Sequence, residues 1–330
     1  MKKTNLLILS GTLMLSTLAA ASCDAGKIKI GILQPVEHEA LSAARQGFID
    51  ALKEEGFDES KIKIEYRNAG GKDADQNAFA KDLVSRCDMT LGIGTGASKS
   101  LKEAAIDKGK TNPVLFTAVT DPVDAGLVSK MENGSGFVTG TSDAQPLAEQ
   151  VGLIKLIKPD ADKVGIIYTQ SESNSVVQAN QAKAALEASS ISVVTKTVTG
   201  PSDISATASA LASEDGIDAI YVPTDNTIAA NTDAIKTAVK GKGILVICGE
   251  ESMLKGCGHI TLSINYTELG KRTGKMAASI LKGEKQAKDI PVTTMSKDEC
   301  DMVMSSANIA DANVAIPDSI KSTCRDVSLD

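Results

Sequence analysis

A rhythm limits the fold more than any single residue. From Lys27 onward, short apolar runs of strand length alternate with stretches whose apolar residues recur every three or four positions. "KIKIGILQ" reads as a strand, "ALSAARQGFIDALKEEGF" as an amphipathic helix closed by Gly56, "KIKIEYRNA" as a strand and "DADQNAFAKDLVSRC" as a helix. "MTLGIGT", "GASKSLKEAAID" and "PVLFTAV" continue the alternation. Such a pattern predicts an α/β fold of parallel sheets joined by crossover helices. "FVTGTSD" breaks the rhythm, and a second series opens on the helical "PLAEQVGLIKLIK". It runs through "KVGIIYT", "VVQANQAKAALEAS", "ISVVTKTV", "ISATASALASED", "AIYVPTD", "NTDAIKTAVK" and "ILVICGEE", and reaches the long helix "TELGKRTGKMAASILKG". Two doubly wound parallel-sheet units in series are therefore expected, with no low-complexity tether between them. A chain of 330 residues fits two domains.

The first residues are of another kind. Lys2 and Lys3 precede an apolar stretch from Leu6 to Ala21, and small residues lead to Cys23. This is the form of a secretory signal over residues 1–22. The small residues before Cys23 also resemble a bacterial lipobox, with Ala20 where Leu is usual, so Cys23 is the expected lipidation site. An acyl chain there would hold the protein to a membrane without a spanning helix, since no later run reaches the ~20 apolar residues that crossing requires. The expected location is exported, at the cell surface or in the periplasm.

Charge and cysteines narrow the function. A net charge of −7, no tryptophan and no basic runs argue against a nucleic-acid partner. Cys87, Cys248, Cys257, Cys300 and Cys324 show no C-x-x-C pair and no histidine at zinc spacing, so no metal site is expected. Export permits disulfides, with Cys248–Cys257 and Cys300–Cys324 as local candidates beside the alternative of buried free thiols. There is no G-x-S-x-G elbow, and no carboxylate spacing fixes an acid/base pair. "GIGTGASKS" lacks the glycine that a phosphate loop places before its lysine, because Ser98 precedes Lys99. No cofactor is expected, and an enzyme is disfavoured.

In open parallel sheets, ligands sit beyond the carboxyl ends of the strands. Those ends carry Gln34 to His38, Thr95 to Ser98, Thr120-Asp121, Ser171 to Ser175, Thr224-Asp225-Asn226 and Glu250-Glu251. Two strands, one per unit, end on Thr-Asp. If the units open toward each other, both pairs face one crevice. Each position also has a plainer role: Asp121 before Pro122 as a turn former, Asp225 or Asn226 as a helix cap, His38 as a structural histidine.

"KIGILQPVEHEAL", "PVLFTAVTDPVDAGLV", "VTGTSD", "KVGIIYTQSESNS", "YVPTDNT" and "ELGKRTGKMAASILKGE" together resemble bacterial ABC-transporter substrate-binding proteins of the tryptophan/tyrosine-binding branch, over nearly the whole chain beyond the signal. The resemblance implies a type I periplasmic-binding-protein fold, two lobes joined by three crossings. It places the N-terminal lobe at 23–143 plus 266–289 and the C-terminal lobe at 144–265 plus 290–330. It also implies a non-enzymatic role closing on a small zwitterionic ligand, an aromatic amino acid first, with a partner permease and ATPase. A sensor lipoprotein for another metabolite, or a hydrolase on the same scaffold, are the alternatives. Carried over position by position, the binding residues are Gln34, Glu37, Thr95, Thr120 and Asp121 in the first lobe, and Glu172, Asn174, Ser175, Asp225 and Glu250 in the second. Ser98 and Asn226 join them from the same strand-end loops. Thr95 and the Gly96–Ser98 backbone are the candidates for a ligand carboxylate; Asp121, Asp225 and Glu250 are those for an ammonium. The chain departs from the pattern at Gly96, where relatives carry Pro, and in its sparse aromatics. Phe116, Tyr168, Tyr221 and Tyr266 are the candidates for an aromatic slot.

Overall fold

The computed structural model describes residues 26–328; the signal sequence and Cys23 lie outside the described residues. The first sheet is fully parallel, in the order β2 (Ile62–Asn68), β1 (Ile28–Gln34), β3 (Met89–Ile93), β4 (Val114–Val119), β5 (Val138–Ser142). Helices α1 (Glu39–Glu54), α2 (Asp73–Arg86) and α3 (Thr95–Asp107) connect its first four strands. Strand β5 is the "FVTGTSD" segment, which extends the sheet rather than ending it. Its polar Thr139 and Thr141 are buried because their hydroxyls find partners: Thr139 donates to the Ile290 carbonyl at 2.8 Å, and Thr141 lies 3.0 Å from the Thr117 hydroxyl and 2.8 Å from that of Thr273.

The chain then crosses to the second lobe and forms α4 (Leu147–Ile157), β6 (Lys163–Thr169), α5 (Ser173–Ala188), β7 (Ser192–Val198), α6 (Pro201–Leu211), β8 (Ala219–Val222), α7 (Asn226–Ala229), α8 (Asp233–Val239), β9 (Leu245–Cys248) and β10 (Ile260–Ile264). It returns to the first lobe as α9 (Tyr266–Leu281) and ends in the second with β11 (Cys300–Met304), α10 (Ser306–Ala312), α11 (Asp318–Lys321) and β12 (Arg325–Asp326). The second sheet has the order β12-β11-β10-β9-β8-β6-β7. It is parallel except where β11 runs antiparallel to β10. Each sheet is covered on both faces, by α1 and α9 or α2 and α3 in the first lobe, and by α4 and α5 or α6 and α8 in the second.

The third crossing lies later than Asp289. Val292 packs in the core of the first lobe, Thr293 pairs with Thr141 beside β5, and Met295 is buried against α1 and α9. The first sheet thus keeps the chain through Met295, because the apolar side chains of this segment find their burial there.

Helices α1 and α9 pack unusually closely. A Cβ added to Gly47 would lie 2.0 Å from the Thr267 carbonyl oxygen, and one on Gly270 would lie 2.0 Å from that of Ala44. Gly274 meets the Phe48 carbonyl in the same way, one turn on. No side chain fits at these positions, so the two backbones touch directly. The cysteines among the described residues are free thiols. Cys248 and Cys257 are buried together in one core, whereas Cys300 and Cys324 pack against the cores of different lobes, which excludes a Cys300–Cys324 bridge.

Candidate functional site

The carboxyl ends of the two sheets face each other across a small cavity of about 20 Å³, room for about one water. From the first lobe it is lined by His38 and Leu41 at the start of α1, Thr95 at the start of α3, and Ala118 and Thr120 at the end of β4. From the second come Asn174, Thr224, Asp225, Asn226, Ala229 and Glu250. Its floor is the hinge. Asp143 stands on the first crossing and Tyr266 on the second, joined by a 2.8 Å hydrogen bond from the Tyr266 hydroxyl to Asp143 Oδ2. Beyond Asn174 and Asn226 the cleft widens into a polar groove of about 510 Å³.

Local folding explains the placements. β4 slips register between Phe116 and Val119, and Ala118 adopts φ 55°, a left-handed conformation that costs a non-glycine residue on the order of 1 kcal/mol. This bulge turns Ala118 toward the cavity and lets Thr120 reach the interface, where its hydroxyl accepts from Gln178 Nε2 of the other lobe at 3.4 Å. The lobes meet again where His38 Nε2 lies 3.1 Å from Asn226 Oδ1 and where Lys255 pairs with Glu39 at 3.0 Å. Asn226 Nδ2 donates to Glu172, so Oδ1 is the atom turned to His38. In the neutral ring, Nε2 therefore carries the proton and Nδ1 is an acceptor.

Three carboxyl groups line the cavity, and all are buried: Asp143 at 3 % exposure, Asp225 and Glu250 at 2 %. No Lys or Arg lines it among the described residues. Burial raises the Asp143 carboxyl to about 6, against the hydrogen bond from Tyr266 and the nearby Thr120 hydroxyl. Burial, and then the charge of Glu172, push Asp225 upward, opposed by its bonds from Ile228 and Thr169. Burial likewise raises Glu250, opposed by nearby His38 and the bonds from Ser252. These groups differ in how far they are satisfied. Asp225 Oδ1 accepts from the Thr169 hydroxyl at 2.8 Å and the Ile228 amide at 2.9 Å, and Oδ2 from the Thr169 amide at 2.6 Å. Glu250 accepts from the Ser252 hydroxyl at 2.6 Å and amide at 2.8 Å. Asp143 Oδ1 has no partner, nor do His38 Nδ1, Thr95 Oγ1 and Thr224 Oγ1. Buried polar atoms are nearly always paired, so unpaired ones on cavity-lining residues mark where a guest's polar groups belong.

Of the residues expected from sequence, Thr95, Thr120, Asn174, Asp225, Asn226 and Glu250 line this cavity. The others hold its walls. Gln34 is buried behind the rim, donating to the Val36 carbonyl and accepting from Arg45. Glu37 points outward. Burial pushes its carboxyl up, but hydrogen bonds from Tyr66, Ser42 and Arg45 and the Arg45 charge outweigh that and hold it down at about 2. Ser98 donates to the Gly94 carbonyl inside α3, and Ser175 to that of Thr224. Glu172 grips the amides and side chains of Asn226 and Thr227. Asp121 is partly exposed, accepts from the amides of Val123 and Asp124, and does not line this cavity, because the turn that Pro122 starts directs it outward. Among the aromatics, Phe116 and Tyr221 are core, Tyr168 packs at the core margin, and Tyr266 alone reaches the cavity. Sequence reasoning missed Asp143, placed Thr224 at its strand end without choosing it as a binding residue, and discounted His38. The acid in "GTSD" was the available signal, at the end of a strand that read as a break in the pattern.

The family described as ABC transporter substrate binding protein matches residues 29–328. A tyrosine-binding protein of Clostridioides difficile (strain R20291) is 35 % identical over 314 residues, spanning 90 % of this chain and 89 % of that protein. Among solved structures, an ABC domain from Streptococcus pneumonia in complex with L-Trp superposes with TM-score 0.83 at 32 % identity, covering 90 % of this chain and 98 % of that one. The ligand-free, open structure of a substrate binding protein with adhesive properties from Clostridium difficile gives 0.67 at 33 % identity, over 91 % and 99 % of the two chains. At nearly equal identity the arrangement of the lobes is nearer to that of the complex than to that of the open form. Two α/β lobes on a shared hinge, a cavity lined from both, and a family match over almost all the described residues lead to one conclusion: the chain belongs to the ABC transporter substrate-binding proteins, the non-enzymatic, extracytoplasmic component that binds a small molecule for its transporter.

Proposed function

We propose that this protein captures an aromatic amino acid by closing its lobes on the ligand's charged end at the hinge. The observation that carries the reading is the set of unpaired buried atoms on cavity-lining residues, Asp143 Oδ1, His38 Nδ1, Thr95 Oγ1 and Thr224 Oγ1. Two of these are acceptors, and three carboxyls stand beside them without a lysine or arginine, which suits an ammonium. Thr95, at the N-terminus of the long helix α3, suits a carboxylate, because the first amides of a helix are free donors on its positive end. Leu41, Ala118, Ala229 and Tyr266 supply apolar surface. The tyrosine named for the Clostridioides relative and the L-Trp of the pneumococcal complex support an aromatic side chain. A cavity of about 20 Å³ is far too small for such a ligand, so its lining must give way on loading, with the ring directed to the groove beyond Asn174 and Asn226.

In this reading Thr95, Thr120, Asn174, Asp225, Asn226 and Glu250 act with His38, Asp143, Thr224 and Tyr266 as the binding set. Gln34, Glu37, Ser98, Asp121, Glu172 and Ser175 shape the loops that present them. Cys23 carries the lipid anchor that keeps the protein beside its permease and ATPase.

A thermal-shift screen of the chain from Asp24 onward against the standard amino acids tests the ligand. L-tyrosine or L-tryptophan should raise the melting temperature most, by mass action on the native state. A larger shift with sugars or acidic metabolites, and none with aromatic amino acids, would reject the reading.

A further inference from the structure

We propose that Asp143 seats the ligand's ammonium and releases a proton to solvent as it does so, making ligand capture proton-coupled. This rests on the reading above, that the guest carries an ammonium, and adds which of three acids receives it and at what cost in protons. The choice follows from satisfaction. Both oxygens of Asp225 and both of Glu250 already accept hydrogen bonds within the second lobe, from Thr169, Ile228 and Ser252. Asp143 has Oδ2 on the Tyr266 hydroxyl and no hydrogen-bond partner at Oδ1, with the Thr120 hydroxyl near its carboxyl. Its place is fixed: its own amide donates to the Val119 carbonyl at 3.1 Å, and the amide of Ser142 before it to the Thr293 carbonyl at 2.9 Å. The free oxygen thus sits where the first crossing meets the second, and a ligand bound there is held at the pivot of both lobes.

The surroundings decide the protonation state. Facing this corner are Tyr266 from α9, Glu250 from the loop after β9, Asp225 from the turn before α7 with Glu172 behind it, and His38 from the start of α1. No lysine or arginine lines the cavity among the described residues, and His38 is the basic side chain there. Without a lysine or arginine, a buried carboxyl beside other acids keeps its proton to higher pH than an exposed one does, and burial holds that of Asp143 up to about 6. An arriving ammonium is already charged. The O–H bond of the Asp143 acid breaks, its proton passes to water, and the carboxylate pairs with the ammonium. Below about pH 6 this ionisation opposes binding; above it, the group is already charged and the penalty disappears.

The test is titration calorimetry with L-tyrosine and L-tryptophan on the chain from Asp24 onward between pH 5 and pH 8. Buffers of different ionisation enthalpy at pH 5.5 count the protons. Affinity should rise about tenfold from pH 5 to pH 7 and then level off, with most of a proton released at pH 5.5. Asp143→Asn should bind more weakly with a flat profile, while His38→Gln, whatever its affinity, should retain the slope. A flat wild-type profile with binding intact overturns the proton coupling and leaves the ligand reading standing. A slope that survives in Asp143→Asn overturns the assignment to Asp143. Absence of binding at every pH removes both.

Discussion

Strands β4 and β8, one in each lobe, end on the same Thr-Asp pair, and the two aspartates finish in opposite surroundings. Asp225 is buried, sharing its oxygens between Thr169 of the adjacent β6 and the Ile228 amide of α7. Asp121 stands at the surface and closes a turn through the amides of Val123 and Asp124. The residue that follows makes part of the difference. Pro122 has no N–H and a fixed φ, so the chain turns back at once, whereas Asn226 starts a helix whose cap is Asp225. The neighbouring strand makes the rest: β8 lies inside its sheet between β6 and β9, with a hydroxyl from β6 ready for the carboxylate. In the first lobe the acid facing the cavity comes instead from the end of β5, as Asp143. The two lobes thus match in layout but supply the same chemistry from different strand ends.

The contrast can be broken most forcefully at Asp225. Asp225→Ala leaves the buried amides of Thr169 and Ile228 without acceptors, and should cost about 3 kcal/mol in urea unfolding and at least a hundredfold in ligand affinity. Asp143→Asn should have the opposite effect on stability. Its folded-state pKa, about 6, lies above the ordinary aspartate value of 3.8, so the proton it holds stabilises the fold fully at low pH and that contribution is lost as pH rises through 6. Removing the ionisable group should therefore raise the stability of the ligand-free protein at pH 8 by about 3 kcal/mol, and leave it nearly unchanged at pH 3.5, as read by calorimetric melting. The smallest effect belongs to Asp121→Ala, under about 1 kcal/mol, with ligand affinity within twofold of wild type. A tenfold loss of affinity there would erase the distinction between the two turns.

Much of the architecture was legible because it rests on periodicity. The alternation of apolar runs with helical stripes identified two parallel-sheet units, and the strand-end rule pointed to Thr95, Asn174, Asp225 and Glu250. Strand β5 escaped because its buried positions are threonines, and only the facing hydroxyls of Thr117 and Thr273 make their burial tolerable. That miss concealed Asp143, which follows β5. The third crossing escaped for a related reason: Thr293 joins a strand whose edge could not be seen. His38 was discounted as one histidine among two, and nothing local reveals that Asn226, far away in the chain, faces it. Asp121 and Asp225 show the remaining gap, since identical dipeptides were separated in part by the residue that follows and in part by tertiary neighbours.

The glycine seam between α1 and α9 bears on how the molecule opens. Both helices begin at the cavity, α1 just after His38 and α9 at Tyr266. With backbone against backbone at Gly47, Gly270 and Gly274, neither can slide or roll past the other without a collision. The jaw formed by the first lobe therefore swings as a single plate, and any pull on Tyr266 from the pivot displaces His38 by the same rotation, breaking its grip on Asn226 in one motion rather than in stages.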